Sequence, residues 1–170
     1  MTKMMAALFA GRRMRSGLAF AACLIGATAV HAAGSDVFAA HCATCHMANA
    51  QGSPGFVPPL TETLGHYAQT PAGRALLARI VAYGMSGTIT VAGQRYVGSM
   101  AVVRPLTDAE VAEALNHVLT QFNQASLPKD FQPFTEDEVK QHRAEKSTPV
   151  ANYAARQALV SRLTTEGKGR

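Results

Sequence analysis

Residues 41–46 read HCATCH, and this short stretch determines the interpretation of the whole chain. Cys42, Cys45 and His46 within it form the pattern C-x-x-C-H. Residues three apart lie on one face of a helical turn, so both thiols face the same side of the chain. This pattern is the attachment signature of a c-type haem. Each thiol would add to one vinyl group of a single haem, and the adjoining imidazole of His46 would bind the iron.

Three other interpretations of the motif are weaker. A structural zinc site commonly needs four ligands from two such pairs, and the sequence has no second C-x-x-C. A thioredoxin-like redox pair would follow a strand in a βαβ unit, whereas this motif follows a short helical pattern. A plain disulfide between Cys42 and Cys45 would leave His46 without a role. We therefore predict one covalently bound haem c per chain.

Residues 1–32 have the layout of a secretory signal peptide. A charged start, GRRMRS, precedes the 14-residue apolar run GLAFAACLIGATAV, and small residues then predict cleavage near Ala32 or Ala33. A helix that spans a bilayer needs roughly 20 apolar residues, so no transmembrane anchor is expected after cleavage. A lipid anchor on Cys23 is also disfavoured, because the apolar run before its FAAC box is too short. These features predict a periplasmic protein.

Composition narrows the possible classes of function. With 170 residues, of which 48% are hydrophobic, the chain is long enough to bury the core of one ordinary domain. The formal net charge of +5 falls to +1 without residues 1–32, because that segment holds four basic residues and no acidic one. The part that folds therefore offers no support for nucleic-acid binding.

Capping signals predict the helices of the mature chain. Ser35 is placed to cap a first helix, and residues 48–65 read as a long loop with three prolines and three glycines. Thr70 is placed to cap a middle helix that ends at Gly84. Residues 88–98, TITVAGQRYVG, alternate around a turn and predict a small hairpin. The clearest helix begins at Thr107, because Thr-x-x-Glu there forms a capping box.

The tail after residue 127 is more polar than the part before it. Thr135 and Glu138 form another capping box, which predicts a short helix from Glu136 to about Ala144. Pro149 can open a second short helix that continues to about residue 160. We expect both helices to lie on the preceding domain, because about 32 residues with few apolar positions cannot form a core of their own. The last residues, TTEGKGR, are expected to fray.

The ligand on the second face of the iron decides what a haem protein can do. Six residues are candidates: Met47, Met85, Met100, His41, His66 and His117. Met47 adjoins His46 and cannot reach the opposite face, while His41 is expected at the surface and His117 in helix packing. Met85 and Met100 both lie in segments that we expect to be irregular and able to cross the distal face.

Residues 34 to about 123 resemble a class I cytochrome c. The resemblance is carried by DVFAAHCATCH, VPPL, GQRYVGSM and LTDAEVAEALNHVL. It implies an all-α class I cytochrome c fold in which helices wrap around one covalently attached haem. A small hairpin would precede the axial methionine, and a helical C-terminal tail would follow the core.

The resemblance also implies roles for particular residues. In the family, a proline carbonyl twelve residues after the iron histidine accepts the ring N–H, and a leucine two residues later packs against the haem. Counting along this chain gives Pro58 and Leu60. The family's axial methionine lies shortly before the last helix, which matches Met100 and makes Met85 the second choice. A proline usually follows that methionine, whereas Ala101 stands here.

These expectations combine into one predicted function. The chain would comprise a signal peptide (1–32), a cytochrome c domain (33–127) and a C-terminal extension (128–170). It would carry single electrons in the periplasm, without being an enzyme, between redox partners such as a periplasmic dehydrogenase and a terminal acceptor. Tails of this sort resemble extensions on some proteobacterial cytochromes that serve such dehydrogenases. The alternative is a haem enzyme or gas-binding protein with a labile sixth ligand.

Overall fold

The computed structural model describes residues 26–102 and 104–168, with side chains from residue 34 onward. Most of the predicted signal peptide, including Cys23, lies outside the described residues. Seven α-helices and one hairpin form this described part: α1 (Gly26–His41), α2 (Ala43–His46), α3 (Leu64–Ala68), α4 (Pro71–Tyr83), β1 (Met85–Val91), β2 (Gln94–Met100), α5 (Asp108–Phe122), α6 (Glu136–Ala144) and α7 (Pro149–Thr165). None of these described helices has both the length and the apolar character that a membrane span requires.

Helix α1 crosses α5 at close range. A Cβ atom at Gly34 would come within 2.7 Å of the carbonyl oxygen of Glu113, so the two backbones approach closely only because this residue is glycine. The prediction that Ser35 caps α1 is wrong. The helix continues upstream to Gly26 through alanine-rich sequence with high helix propensity, so Ser35 lies inside it.

The predicted caps of α4 and α5 are confirmed. The hydroxyl of Thr70 accepts a hydrogen bond from the backbone N–H of Gly73 at 3.0 Å, and α4 ends at Gly84 with φ of 78°. At α5, Thr107 and Glu110 form both bonds of the capping box. The long loop predicted before α4 is shorter than expected, because its last part folds into α3, which carries no strong capping signal.

The hairpin is longer than predicted. Its two-residue turn is Ala92–Gly93, where both residues have positive φ, as the right-handed strand twist favours. The antiparallel ladder then continues to the pair Met85 and Met100 at the open end. The expectation that these two methionines lie in irregular segments is wrong, because backbone pairing extends through both of them. Met100 is the last residue of the hairpin rather than a residue beyond it.

The C-terminal extension shares the core of the domain. Buried side chains of α6 and α7, including Val139, Leu159 and Leu163, pack in one cluster with those of α4 and α5. Helix α6 has the predicted bounds, but only half of its capping box forms. The carboxylate of Glu138 instead binds the guanidinium of Arg74 through two contacts of 2.6 Å. The second helix, α7, reaches Thr165 and is longer than predicted.

Candidate haem site

The two cysteines of the motif lie on a single tight turn. Helix α1 ends at His41, Cys42 is the N-cap of α2, and the backbone N–H of His46 donates to the carbonyl of Cys42 at 2.9 Å. Both thiols are free, Cys42 half-buried and Cys45 exposed. Burial, and secondly the neighbouring Cys45, raise the pKa of the Cys42 thiol above its usual value. The turn thus places the two thiols three residues apart in sequence.

His46 is fixed by one hydrogen bond. Its side chain is buried, at 7% exposure, and its Nδ1–H donates to the carbonyl oxygen of Pro58 at 3.1 Å. Burial lowers the pKa of His46, an effect that the bond to Pro58 opposes. The imidazole is therefore neutral, with the proton on Nδ1 and the lone pair on Nε2. That tautomer is the one that binds a metal ion through Nε2.

The loop between His46 and Pro58 folds back on itself to make this contact. The backbone N–H of Gly52 donates to the carbonyl of His46 at 2.9 Å. Gly52 has a φ of 64°, and a Cβ atom there would collide with the carbonyl oxygens of Val57 and Pro58. A glycine is therefore required where the two arms of the loop meet.

An apolar wall lies beside the motif. Phe38, Ala50 and Val118 are its buried centre, and partly buried Cys42, Ala43, Leu60, Leu64 and Phe122 pack around them. The structure thus places Leu60 and Cys42 in one cluster. The backbone of Leu60 is held as well, since its N–H donates to the carbonyl of Ala50 at 2.8 Å.

Asn123 is a site residue that sequence reasoning missed. Its buried amide donates to the carbonyl of Leu60 at 2.7 Å, while its oxygen accepts the backbone N–H of Leu64 at 2.9 Å. Asn123 thereby ties the end of α5 to the segment that carries Leu60. The only local signal is a polar residue directly after an amphipathic helix, which gives no indication of these distant partners.

The two methionine candidates are cross-strand partners, and their strands lie against different parts of the chain. The backbone N–H of Val97 in β2 donates to the carbonyl of Gly55 at 3.0 Å, so β2 lies against the loop that follows His46. Strand β1 instead lies against α7, because the ring of Tyr153 fills the space that a Cβ atom of Gly87 would need. The strand that ends in Met100 is thus the one beside the loop that follows His46.

The other four candidates lie in different surroundings. Met47 is exposed, and exposed His41 accepts a hydrogen bond from the guanidinium of Arg104 at 2.7 Å. His66 lies within the short helix α3. The ring of His117 packs against phenylalanine rings of α1 and α5, with centroids 5.3 and 5.6 Å apart. The positions of His41 and His117 agree with the surface and packing positions expected for them.

The residues present fit a covalently attached haem. Two free thiols lie on one turn, a neutral imidazole keeps Nε2 for a metal, and an apolar wall adjoins both. The soft thioether of a methionine is an iron ligand of known type for the opposite face.

Comparison with known proteins agrees with this chemistry. The family model described as cytochrome c matches residues 31–122. The chain belongs to the cytochrome c family. One cytochrome c-552 of Thermus thermophilus is 40% identical over 136 residues, which cover 80% of this chain and 92% of that protein. A second cytochrome c-552 from Thermus thermophilus is 41% identical over 126 residues, covering 74% and 95% respectively.

Membership of the family confirms several predictions. The protein is a class I c-type cytochrome with mostly helical structure, it carries covalently bound haem c, and it is an electron carrier rather than an enzyme. Its partners are redox proteins. The first match covers 136 residues, which is more than the 127 residues before the C-terminal extension, so the similarity reaches into the extension.

Proposed function

We propose that this cytochrome carries single electrons in the periplasm from a periplasmic dehydrogenase to a terminal acceptor, with His46 and Met100 as axial ligands. The observation that carries the proposal is the hydrogen bond from His46 Nδ1 to Pro58, which leaves Nε2 for iron. Haem c, when bound, supplies an iron centre that gains and loses one electron reversibly.

The residues of the chain adapt that centre for electron transfer. Cys42 and Cys45 would hold the cofactor covalently, so that it would stay attached in both redox states. The Pro58 carbonyl fixes the tautomer of His46 and makes the imidazole a stronger ligand. A thioether from Met100 would leave no open position for a substrate and would raise the reduction potential relative to two histidines.

Two contacts support Met100 over Met85. Gly98 lies two residues before Met100, on the same face of β2. A Cβ atom at Gly98 would lie 3.2 Å from the carbonyl oxygen of Phe56. That face therefore looks toward the loop after His46. The corresponding face of β1, which carries Met85, is covered by Tyr153 of α7.

Export is supported by the signal layout of residues 1–32. Cleavage near Ala32 or Ala33 would shorten α1 so that Ser35 lies in its first turn. The mature protein would then consist of the cytochrome domain, 33–127, and the extension, 128–170. The N-terminal sequence of protein recovered from a periplasmic fraction tests this proposal, and a chain that still begins at Met1 would contradict it.

The axial ligands are tested with a pair of matched variants. Met100→Ala should abolish the ferric sulfur-to-iron absorption band and let the ferrous haem bind carbon monoxide. Met85→Ala should retain the band and stay closed. The opposite result would assign the ligand to Met85. If the unmodified protein itself binds carbon monoxide readily, its sixth ligand is labile and the gas-binding alternative is favoured.

The dehydrogenase proposal has its own test. A periplasmic fraction from the source organism, supplied with substrates of its dehydrogenases, should reduce the purified ferric protein. If the protein is reduced only by membranes, its electron donor is a membrane-bound respiratory complex instead.

A further inference from the structure

The segment between the hairpin and α5, residues 101–106, has little backbone support of its own. Of residues 101, 102 and 104–106, which the structure describes, none lies in a helix or strand, and none forms a backbone-to-backbone hydrogen bond with another described residue. Met100, the proposed axial ligand, directly precedes this segment. Side chains that hold the segment in place therefore also restrict Met100.

Two arginine side chains bind this segment. Arg143 of α6 donates to the carbonyl of Leu106 at 3.0 Å and to the carboxylate of Asp108 at 2.6 Å, so it holds the end that adjoins α5. Arg104 belongs to the segment itself and follows Met100 by four residues. Of these two anchors, Arg104 is the one closer in sequence to the proposed ligand.

The guanidinium of Arg104 joins two helices. Its Nη2 atom lies 2.7 Å from Nε2 of His41 and 2.7 Å from Oε1 of Glu110, while Nη1 donates to the carbonyl of Pro105 at 3.1 Å. His41 is the last residue of α1, and Glu110 lies in the first turn of α5. Because Nη2 carries two hydrogens, it can donate to both partners at once. The segment after Met100 is thereby fastened to α1 and to α5.

The contact with His41 reaches the haem attachment turn. A guanidinium only donates, so Nε2 of His41 must accept through its lone pair and carries no proton. Cys42, the first cysteine of the motif, directly follows His41. One hydrogen bond across 63 positions of the chain thus links the residue before this cysteine to the segment after the proposed axial methionine.

We propose that Arg104 is a positioning residue for the sixth ligand: it holds the segment after Met100 against the turn that carries Cys42 and so keeps the methionine on the iron. The inference rests on the proposed function, since it takes Met100 as the axial ligand. Movement of the segment away from the haem would break the contacts of Arg104 with His41 and Glu110. Because the side chain of Arg104 is 46% exposed, we expect a several-fold effect on ligand release rather than complete loss of the ligand.

Added imidazole measures how readily the methionine leaves, because it binds ferric haem only where the sixth position is vacant. In the holoprotein, Arg104→Gln should bind imidazole about three- to five-fold more tightly than wild type, which is the size expected for the loss of an exposed contact of this kind. Arg95→Gln is the matched control, because Arg95 is an exposed arginine of β2 and its substitution removes the same charge. The control should bind imidazole as wild type does.

Two variants of His41 separate the hydrogen bond from other effects of the substitution. His41→Gln retains a side-chain oxygen that can accept from Arg104, whereas His41→Leu has no acceptor. His41→Leu should therefore bind imidazole more tightly than wild type, and His41→Gln should stay close to wild type. The double variant Arg104→Gln/His41→Leu should bind imidazole no more tightly than Arg104→Gln alone, because both substitutions remove the same link.

Three outcomes overturn the role of Arg104. These are equal imidazole affinity for Arg104→Gln and Arg95→Gln, additive effects in the double variant, and a lower unfolding midpoint in denaturant with unchanged imidazole affinity. The last result would mean that Arg104 stabilises the fold without positioning the ligand. The ligand assignment is tested separately, by the ferric sulfur-to-iron band of Met100→Ala. If that band survives, the assignment of Met100 fails and this inference fails with it. If the band is lost, adding Arg104→Gln to Met100→Ala should not change imidazole affinity further.

Discussion

Truncation of one buried leucine in the extension tests whether α7 belongs to the core of this cytochrome. Leu159 is 2% exposed and packs in the cluster formed with α4 and α5. The change Leu159→Ala removes three carbon atoms, which at about 0.8 kcal/mol for each buried methylene amounts to about 2.4 kcal/mol. The cavity left behind adds to this, so we expect a loss of about 2–5 kcal/mol in the free energy of unfolding.

Two signals recorded in one denaturant titration measure this loss. Haem absorbance follows the site around His46, and far-ultraviolet circular dichroism follows all helices, including α6 and α7. If the extension and the domain share one core, both signals should move to a lower midpoint together. Val150→Ala is the control, because this residue lies on the same helix but is 67% exposed. Its effect should stay within about 0.5 kcal/mol.

A separation of the two signals would refute the shared core. If Leu159→Ala lowers the helix signal at low denaturant while the haem signal keeps the wild-type midpoint, the extension unfolds by itself. The same conclusion would follow if a chain ending at Leu127 kept haem with an unchanged melting temperature. The described contacts predict the reverse: that truncated chain should retain haem but melt at a lower temperature.

Three further predictions concern polar residues. Asn123→Ala should cost about 2–4 kcal/mol in denaturant unfolding, because two backbone groups lose their buried partner, whereas exposed Gln124→Ala should change little. Glu110 has its pKa lowered to about 2, first by the N–H of the α5 N-cap and then by a neighbouring arginine. Its stabilisation is therefore complete above about pH 4.5 and lost as the pH falls toward 2. Glu110→Gln should thus differ from wild type in thermal melts at pH 6 but not near pH 2. Asn152→Ala should remove the hydrogen bond of 2.7 Å that holds the carbonyl of Gly84. The hairpin that carries Met100 should then be held less firmly, so the ferric sulfur-to-iron band should disappear at a lower pH as the pH is raised.

Local sequence signals were enough to predict much of the fold. The C-x-x-C-H turn needs only five consecutive residues, and the caps at Thr70 and Thr107 each act within one helical turn. The similarity of GQRYVGSM and LTDAEVAEALNHVL to a known family supplied the order of the remaining elements. These features are predictable because the interacting groups lie close together in sequence.

The interactions that sequence reasoning missed join distant segments. Arg74 binds Glu138 across 64 positions, and this contact removes the glutamate from the capping box that local spacing predicts. Asn123 and Asn152 donate to backbone carbonyls 63 and 68 residues away. Every residue type carries a backbone carbonyl, so the sequence does not identify the partner of a side chain that binds one.

Three residues of α7 make contacts along β1. Asn152 donates to the carbonyl of Gly84 just before the strand, Tyr153 covers Gly87 within it, and Arg156 donates to the carbonyl of Thr90 near the turn. These contacts fix the strand at its start, middle and end. Because Met100 is paired to the start of this strand, they also restrict the hairpin that carries it.

The contacts between α7 and β1 also bear on electron transfer. When the charge of the iron changes by one unit, every shift in the surrounding ligands adds to the barrier, so a preorganised site transfers electrons faster. With Met100 as the proposed ligand, Ala101 stands where class I cytochromes usually have a proline that stiffens the chain. We expect a buried asparagine and an aromatic ring of the extension to restrict the partner strand of the hairpin instead. Removing α7 should therefore loosen Met100 more in this protein than in a variant that carries Ala101→Pro.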